Sequence, residues 1–261
     1  MTPVGEMMPE NEPSGDLPGP APSRRLCVAI VGRGAIGSVV ISALEAGEIP
    51  RARLVATVDI GDRLEDAIEA ADLVVECAGQ RALAEIGPKV VAAGKDLLVV
   101  SIGAFTDDAL LAGLREGPGR VHLTSGAIGG LDLLRAASRM APLDRIRIIT
   151  TKKPATLGVP DVGQPVEVMR GPAREIAAAF PKSTNVAAAV ALAVGSLDLV
   201  EAVVVADPAA TLTSHVIEAH GASGDYRFEI RNHPSTDNPA SSRIVPYAVL
   251  SAIEELSRCL P

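Results

Sequence analysis

Gly32-Arg33-Gly34-Ala35-Ile36-Gly37 constrains the fold more than any other stretch of this chain. It follows a short apolar run, Arg25–Val31, and opens a segment of helical spacing, Ala35–Ala46. Glycines at that spacing, between a strand and a helix, each have a use. Gly32 permits a tight turn, Gly34 lets the backbone approach a pyrophosphate, and Gly37 lets the helix pack closely on the strand. The first N–H groups of the helix and its dipole then hold phosphate. Asp59 lies twenty-two residues beyond Gly37, at the end of the next apolar run. That is close to the ~20-residue interval at which an acid meets an adenosine ribose. Gly32, Arg33, Gly34, Ala35, Ile36, Gly37 and Asp59 are therefore expected to bind a dinucleotide. The charge of Asp59 repels a 2′-phosphate and favours NAD. Arg33 and Arg63 keep NADP open. Ala78-Gly79, a small-residue turn after the third apolar run, is expected to border the same cofactor.

The rhythm around the loop is that of a parallel sheet. Apolar runs at Leu54–Asp59, Asp72–Ala78, Asp96–Ser101 and Arg120–Thr124 alternate with helical patterns at Asp62–Ala70, Gln80–Ala93 and Asp107–Glu116. Near-continuous apolar strands between helices indicate βαβ units covered on both faces. Right-handed crossovers give a Rossmann-type doubly wound sheet. After about Thr124 the pattern changes. Ile146–Thr151 reads as a strand, Gly171–Phe180 and Ser183–Val194 as helices. Val200–Ala206, Thr213–Ala219 and Tyr226–Arg231 then follow as consecutive strands, and Ser241–Cys259 as an amphipathic helix. Consecutive strands predict a second α/β domain with a mixed or antiparallel sheet. The expected division is a dinucleotide-binding domain over 24–124, a substrate domain over 125–239, and a final helix, 240–261, packed back on the first. Residues 1–23 hold six Pro, three Gly and four acids with no Lys or Arg. They are expected to be a disordered tail.

Composition excludes several classes. Net charge is −8 and aromatics are 2%, which disfavours both phosphate-backbone binding and base stacking, so no nucleic-acid partner is expected. The longest apolar runs, Val186–Val194 and Leu97–Val100, fall short of the ~20 residues of a membrane span. Three cysteines without a C-x-x-C pair give neither a disulfide framework nor a metal knuckle. Cys27 and Cys77 read as buried core thiols, and a cytoplasmic location is expected.

Four further segments carry a resemblance: Thr124-Ser125-Gly126-Ala127-Ile128-Gly129-Gly130, Pro181-Lys182-Ser183-Thr184-Asn185-Val186-Ala187-Ala188, Ser214-His215-Val216-Ile217-Glu218-Ala219, and Asn232-His233-Pro234-Ser235-Thr236-Asp237-Asn238-Pro239. With the glycine loop and Val75-Glu76-Cys77-Ala78-Gly79, and in this order from about Arg25 to the C-terminus, the chain resembles the L-aspartate dehydrogenase family. The resemblance implies NAD- or NADP-dependent oxidation of L-aspartate to iminoaspartate, reversible. The imine then gives oxaloacetate and ammonia or feeds quinolinate synthesis. It implies a homodimer, His233 as the catalytic residue, and Ala127 and Asn185 in contact with the cofactor.

The chemistry of the residues supports this. Removing hydride from an amine-bearing carbon needs a base that titrates near neutrality, and histidine supplies one. His215, on a predicted strand, is a second candidate at the site, as a carboxylate ligand. His122 reads as structural and His220 as a surface residue. A substrate with two carboxylates needs cations or N–H donors. Lys152, Lys153, Arg231 and Arg243 are available, and Lys153, Ser125 and Gly126 join His215 as the expected substrate contacts. Two other readings remain open from the sequence. One is another two-domain oxidoreductase, of the homoserine dehydrogenase or dihydrodipicolinate reductase kind. The other is a non-catalytic dinucleotide sensor.

Overall fold

The computed structural model of the chain describes residues 24–181 and 185–259. The expected tail, 1–23, and Lys182, Ser183 and Thr184 of the second-half motif lie outside the described residues. Strands β1 (Leu26–Val31), β2 (Ala52–Val58), β3 (Leu73–Glu76), β4 (Asp96–Val99) and β5 (Val121–Leu123) form one parallel sheet in the order β2-β1-β3-β4-β5. Helices α1 (Ala35–Glu45), α2 (Leu64–Ala70), α3 (Gln80–Ala92) and α4 (Asp108–Glu116) make the crossovers. β3 and β4 are buried at nearly every position, as strands covered on both faces must be. The chain leaves β1 towards β2 on one side and returns to β3 on the other. The topological switch point therefore falls between the ends of β1 and β3, where open α/β sheets place their ligands.

The second sheet is mixed. Its strands are β6 (Leu143–Lys152), β7 (Val166–Pro172), β8 (Val200–Ala206), β9 (Thr213–Gly221) and β10 (Gly224–Asn232), ordered β10-β9-β6-β8-β7. Only β6 and β8 run parallel; the other pairs are antiparallel. Helices α5 (Leu131–Met140), α6 (Pro154–Leu157), α7 (Ala173–Ala179) and α8 (Asn185–Val194) accompany it, and α9 (Val245–Arg258) closes the chain against α1. Helix α8 is buried at seven of its ten positions. Its Ala-rich sequence lets it pack closely against α5 and α7.

Several expectations change. Gly171 and Pro172, expected in a helix, end β7 instead, since proline's missing N–H suits a strand end rather than a ladder interior. Helix α5 and most of β7 lie in stretches whose polar content masks their period. The final helix starts at Val245, not Ser241: residues 240–242 are irregular, and Pro246 sits in the first turn. Cys27 and Cys77 are both partly buried; Cys77, just past the end of β3, packs against the core, and burial pushes its thiol pKa up. Among the described residues no helix is long and apolar enough to cross a membrane.

Candidate functional site

The glycine loop and the β3–α3 turn meet at the switch point. Gly32 has φ +98°, and a Cβ on it would lie 2.8 Å from the carbonyl carbon of Cys77 and 2.9 Å from the Cα of Ala78. A Cβ on Gly37 would overlap the carbonyl oxygen of Gly32. Gly34 differs: a Cβ there would meet nothing within 4 Å. No side chain caps α1 at Gly34. Two glycines thus fold the loop, and the third leaves open space beside an uncapped helix N-terminus. That is the cradle a pyrophosphate requires, so the residues present fit a dinucleotide.

Glu76, fully buried at the end of β3, braces the opposite wall. Its carboxylate accepts from the N–H groups of Ala78 and Gly79 (both 2.8 Å) and from the N–H and hydroxyl of Ser101 (3.0 and 2.9 Å). Burial raises its pKa above the usual carboxylate value, while these four bonds pull it back. At the outer end of the sheet, Asp59 is exposed and accepts from the Ile60 N–H. Arg33 turns towards it: its guanidinium donates to the Thr57 carbonyl and pairs with Asp62, both at 3.1 Å. Asp62 joins the two, since it also accepts from the Asp59 N–H at 2.9 Å.

A cavity open to solvent at its mouth lies between the two sheets. It gathers Ile36, Ser125, Gly126, Ala127, Asn185 and His215 from the residues expected to function. It is also lined by Lys152 and by Ala240, Ser241 and Ser242. Arg33, Gly34 and Asp59 lie along the cofactor cradle instead. Lys153 is exposed and caps α6.

Strand register explains which side chains face the cavity. Along β6 the buried positions include Ile146, Ile148, Thr150 and Lys152. Along β9 they are Thr213, His215, Ile217 and Ala219. Thr150 and His215 are register partners, and their side chains hydrogen-bond at 3.1 Å through His215 Nδ1. His215 is 1% exposed; burial first, and the nearby Lys152 second, push its pKa down to about 3. It is a neutral imidazole at physiological pH. Lys152 is 4% exposed, its Nζ donates to the Ala240 carbonyl at 2.6 Å, and burial lowers its pKa to about 8.

Asn185, at the start of α8, accepts on Oδ1 from the Gly103 N–H at 3.0 Å and from Gln80 at 3.4 Å. Asn232 donates to the Ala127 carbonyl at 2.7 Å. The asparagine that precedes His233 therefore fixes the segment 125–129, a role its sequence context does not reveal. His233 itself is exposed and lies outside the cavity lining. Its loop is nevertheless tied to the rim: the Arg243 N–H donates to the His233 carbonyl (2.9 Å), the Ser235 N–H donates to the Ser241 carbonyl (2.8 Å), and Pro234 bridges Ser242.

Comparison with known proteins agrees with this layout. Residues 132–256 match the family model described as aspartate dehydrogenase, C-terminal, and residues 48–118 match the NAD-binding domain of homoserine dehydrogenase. An L-aspartate dehydrogenase of Methanopyrus kandleri is 34% identical, over 90% of this chain and 97% of that protein. One from Ruegeria pomeroyi is 36% identical, over 88% and 92%. The crystal structure of aspartate dehydrogenase from Thermotoga maritima superposes with a TM-score of 0.72 at 27% identity, covering 89% of this chain and 97% of that one.

Proposed function

The chain belongs to the L-aspartate dehydrogenase family, and from that premise we propose how its residues divide the work of NAD(P)-dependent oxidation of L-aspartate to iminoaspartate. The observation that carries the reading is the cavity: it joins the glycine-loop helix, through Ile36, to a neutral buried histidine and a buried lysine on the second sheet.

The cofactor, when bound, supplies the hydride acceptor. Gly32, Gly34 and Gly37, with the α1 N-terminus, hold its pyrophosphate, and Asp59 its ribose. Arg33, Ala35, Ile36, Ala78 and Gly79 line its path, and Ala127 and Asn185 meet it at the cavity. The first sheet with α9 forms the dinucleotide-binding unit and the second sheet the substrate unit. Ser125, Gly126 and Lys153 are proposed substrate contacts. Ser125 and Gly126 line the cavity, whereas Lys153 acts from outside it.

The base must take a proton from the substrate ammonium before hydride leaves, or from the water that attacks the imine. Motif resemblance puts His233 in that role. The geometry supports His215: it is neutral, enclosed, and oriented by Thr150 through one ring nitrogen, which leaves Nε2 for the substrate. An exposed imidazole on the rim has none of these features.

A homodimer is the proposed assembly. The face of the second sheet that carries Ile149 and its register partner Val216 is half-exposed and ringed by Arg147, Glu201 and Glu218. That mixture suits a sheet-face contact with a second copy. A cytoplasmic location is supported by three free thiols. Reductive amination tests the substrate assignment. Oxaloacetate with ammonium should consume NADH or NADPH much faster than pyruvate or 2-oxoglutarate does. Equal rates with all three would defeat it.

A further inference from the structure

Lys152 is a buried cation that no carboxylate of the described residues accompanies. It is 4% exposed, and among the described residues its one hydrogen bond goes to a neutral acceptor, the Ala240 carbonyl. An ammonium carries three donors, so two remain for the cavity it lines. The same cavity is lined by His215, hydrogen-bonded to Thr150, and by Ala240, Ser241 and Ser242. None of these is anionic. Burying a charge without a counter-charge is costly, and an enzyme retains such a charge where a ligand supplies the partner.

We propose that Lys152 receives a carboxylate of the dicarboxylate substrate and is the specificity-determining cation of the site. The inference rests on the functional reading above for the identity of the substrate, but the anion site stands on geometry alone. A carboxylate beside Lys152 also cancels the charge that, with burial, keeps His215 hard to protonate. Substrate binding then makes that imidazole a better proton acceptor. The exposed neighbour Lys153 lacks the enclosure and does not line the cavity.

The test uses the full-length protein, with succinate as a dicarboxylate probe that cannot be oxidised at an amine. Lys152→Met should raise the KM for L-aspartate by roughly 10²-fold, the scale of losing one partner of a buried charge pair. The affinity for NAD(P)H should stay the same. The Tm of the free protein should hold or rise, because an uncompensated charge has been removed. Succinate should raise the Tm of the unmodified protein and not that of Lys152→Met, and Lys152→Arg should restore part of the shift. An unchanged KM and an unchanged succinate shift in Lys152→Met would overturn the proposal. So would a lower Tm with equal losses in coenzyme and succinate binding, since that marks a purely structural lysine. If the unmodified protein fails to oxidise L-aspartate, the functional reading falls, and the succinate shifts still decide the role of Lys152.

Discussion

His215 and His233 separate what motif resemblance suggests from what geometry supplies. One is enclosed beside a lysine; the other is exposed on a rim loop. His215→Asn should lower turnover roughly 10²–10⁴-fold, the usual range for a positioned acid–base group. It should leave NADH affinity intact. His233→Ala should keep near-normal turnover; a large loss there, with near-normal turnover in His215→Asn, would return the role to His233. The glycines give a second contrast. Gly37→Ala forces a methyl into the Gly32 carbonyl and should lower both Tm and coenzyme affinity. Gly34→Ala, in open space, should leave Tm unchanged and weaken NADH binding, as measured by fluorescence titration. The glycine loop was legible in the sequence because hard-sphere sterics admit few alternatives at those positions. The lysines were less so. The strand reading stopped at Thr151, whereas β6 continues to Lys152. That single residue, in phase with Ile148 and Thr150, decides which of two adjacent lysines is buried.

At the scale of elements, the parallel sheet was legible because buried strands repeat a simple apolar run. The second half was harder. β7 is an edge strand with alternating charge, and α5 presents a narrow apolar face. Both depend on neighbours far away in sequence. The brace from Asn232 to the Ala127 carbonyl is of this kind: it joins the end of β10 to the loop before α5 across 105 positions. Asn232→Ala leaves that carbonyl without its donor, a loss of about 1–3 kcal/mol when the group is buried. Thermal denaturation should show a lower Tm, and NADH titration a weaker affinity, because Ala127 lines the cavity. A variant that loses neither would show that the loop holds its shape without the brace.

Over the whole molecule, one buried imidazole contributes to acid sensitivity. His215 titrates near 6.5 when solvated and at about 3 in the fold. Between those values the unfolded chain binds the extra proton, so stability is fully present above about 6.5 and falls as pH drops towards 3. His215→Asn should flatten that part of the stability–pH curve, followed by denaturant unfolding at fixed ionic strength. An identical slope in the variant would assign the acid sensitivity to other groups. The two-sheet architecture itself was readable from the change of rhythm near Thr124. The meeting of the two sheets in one cavity was not, because it depends on how α8 and the 240–242 segment close over β6 and β9. The central claim is that a hydride passes from the α-carbon of L-aspartate to a nicotinamide held by this chain. Incubation with L-[2-²H]aspartate and NAD⁺ or NADP⁺, with mass analysis of the coenzyme, tests it directly. The account predicts reduced coenzyme one mass unit heavier than that formed from unlabelled aspartate; reduced coenzyme without deuterium, or no reduction at all, would contradict it.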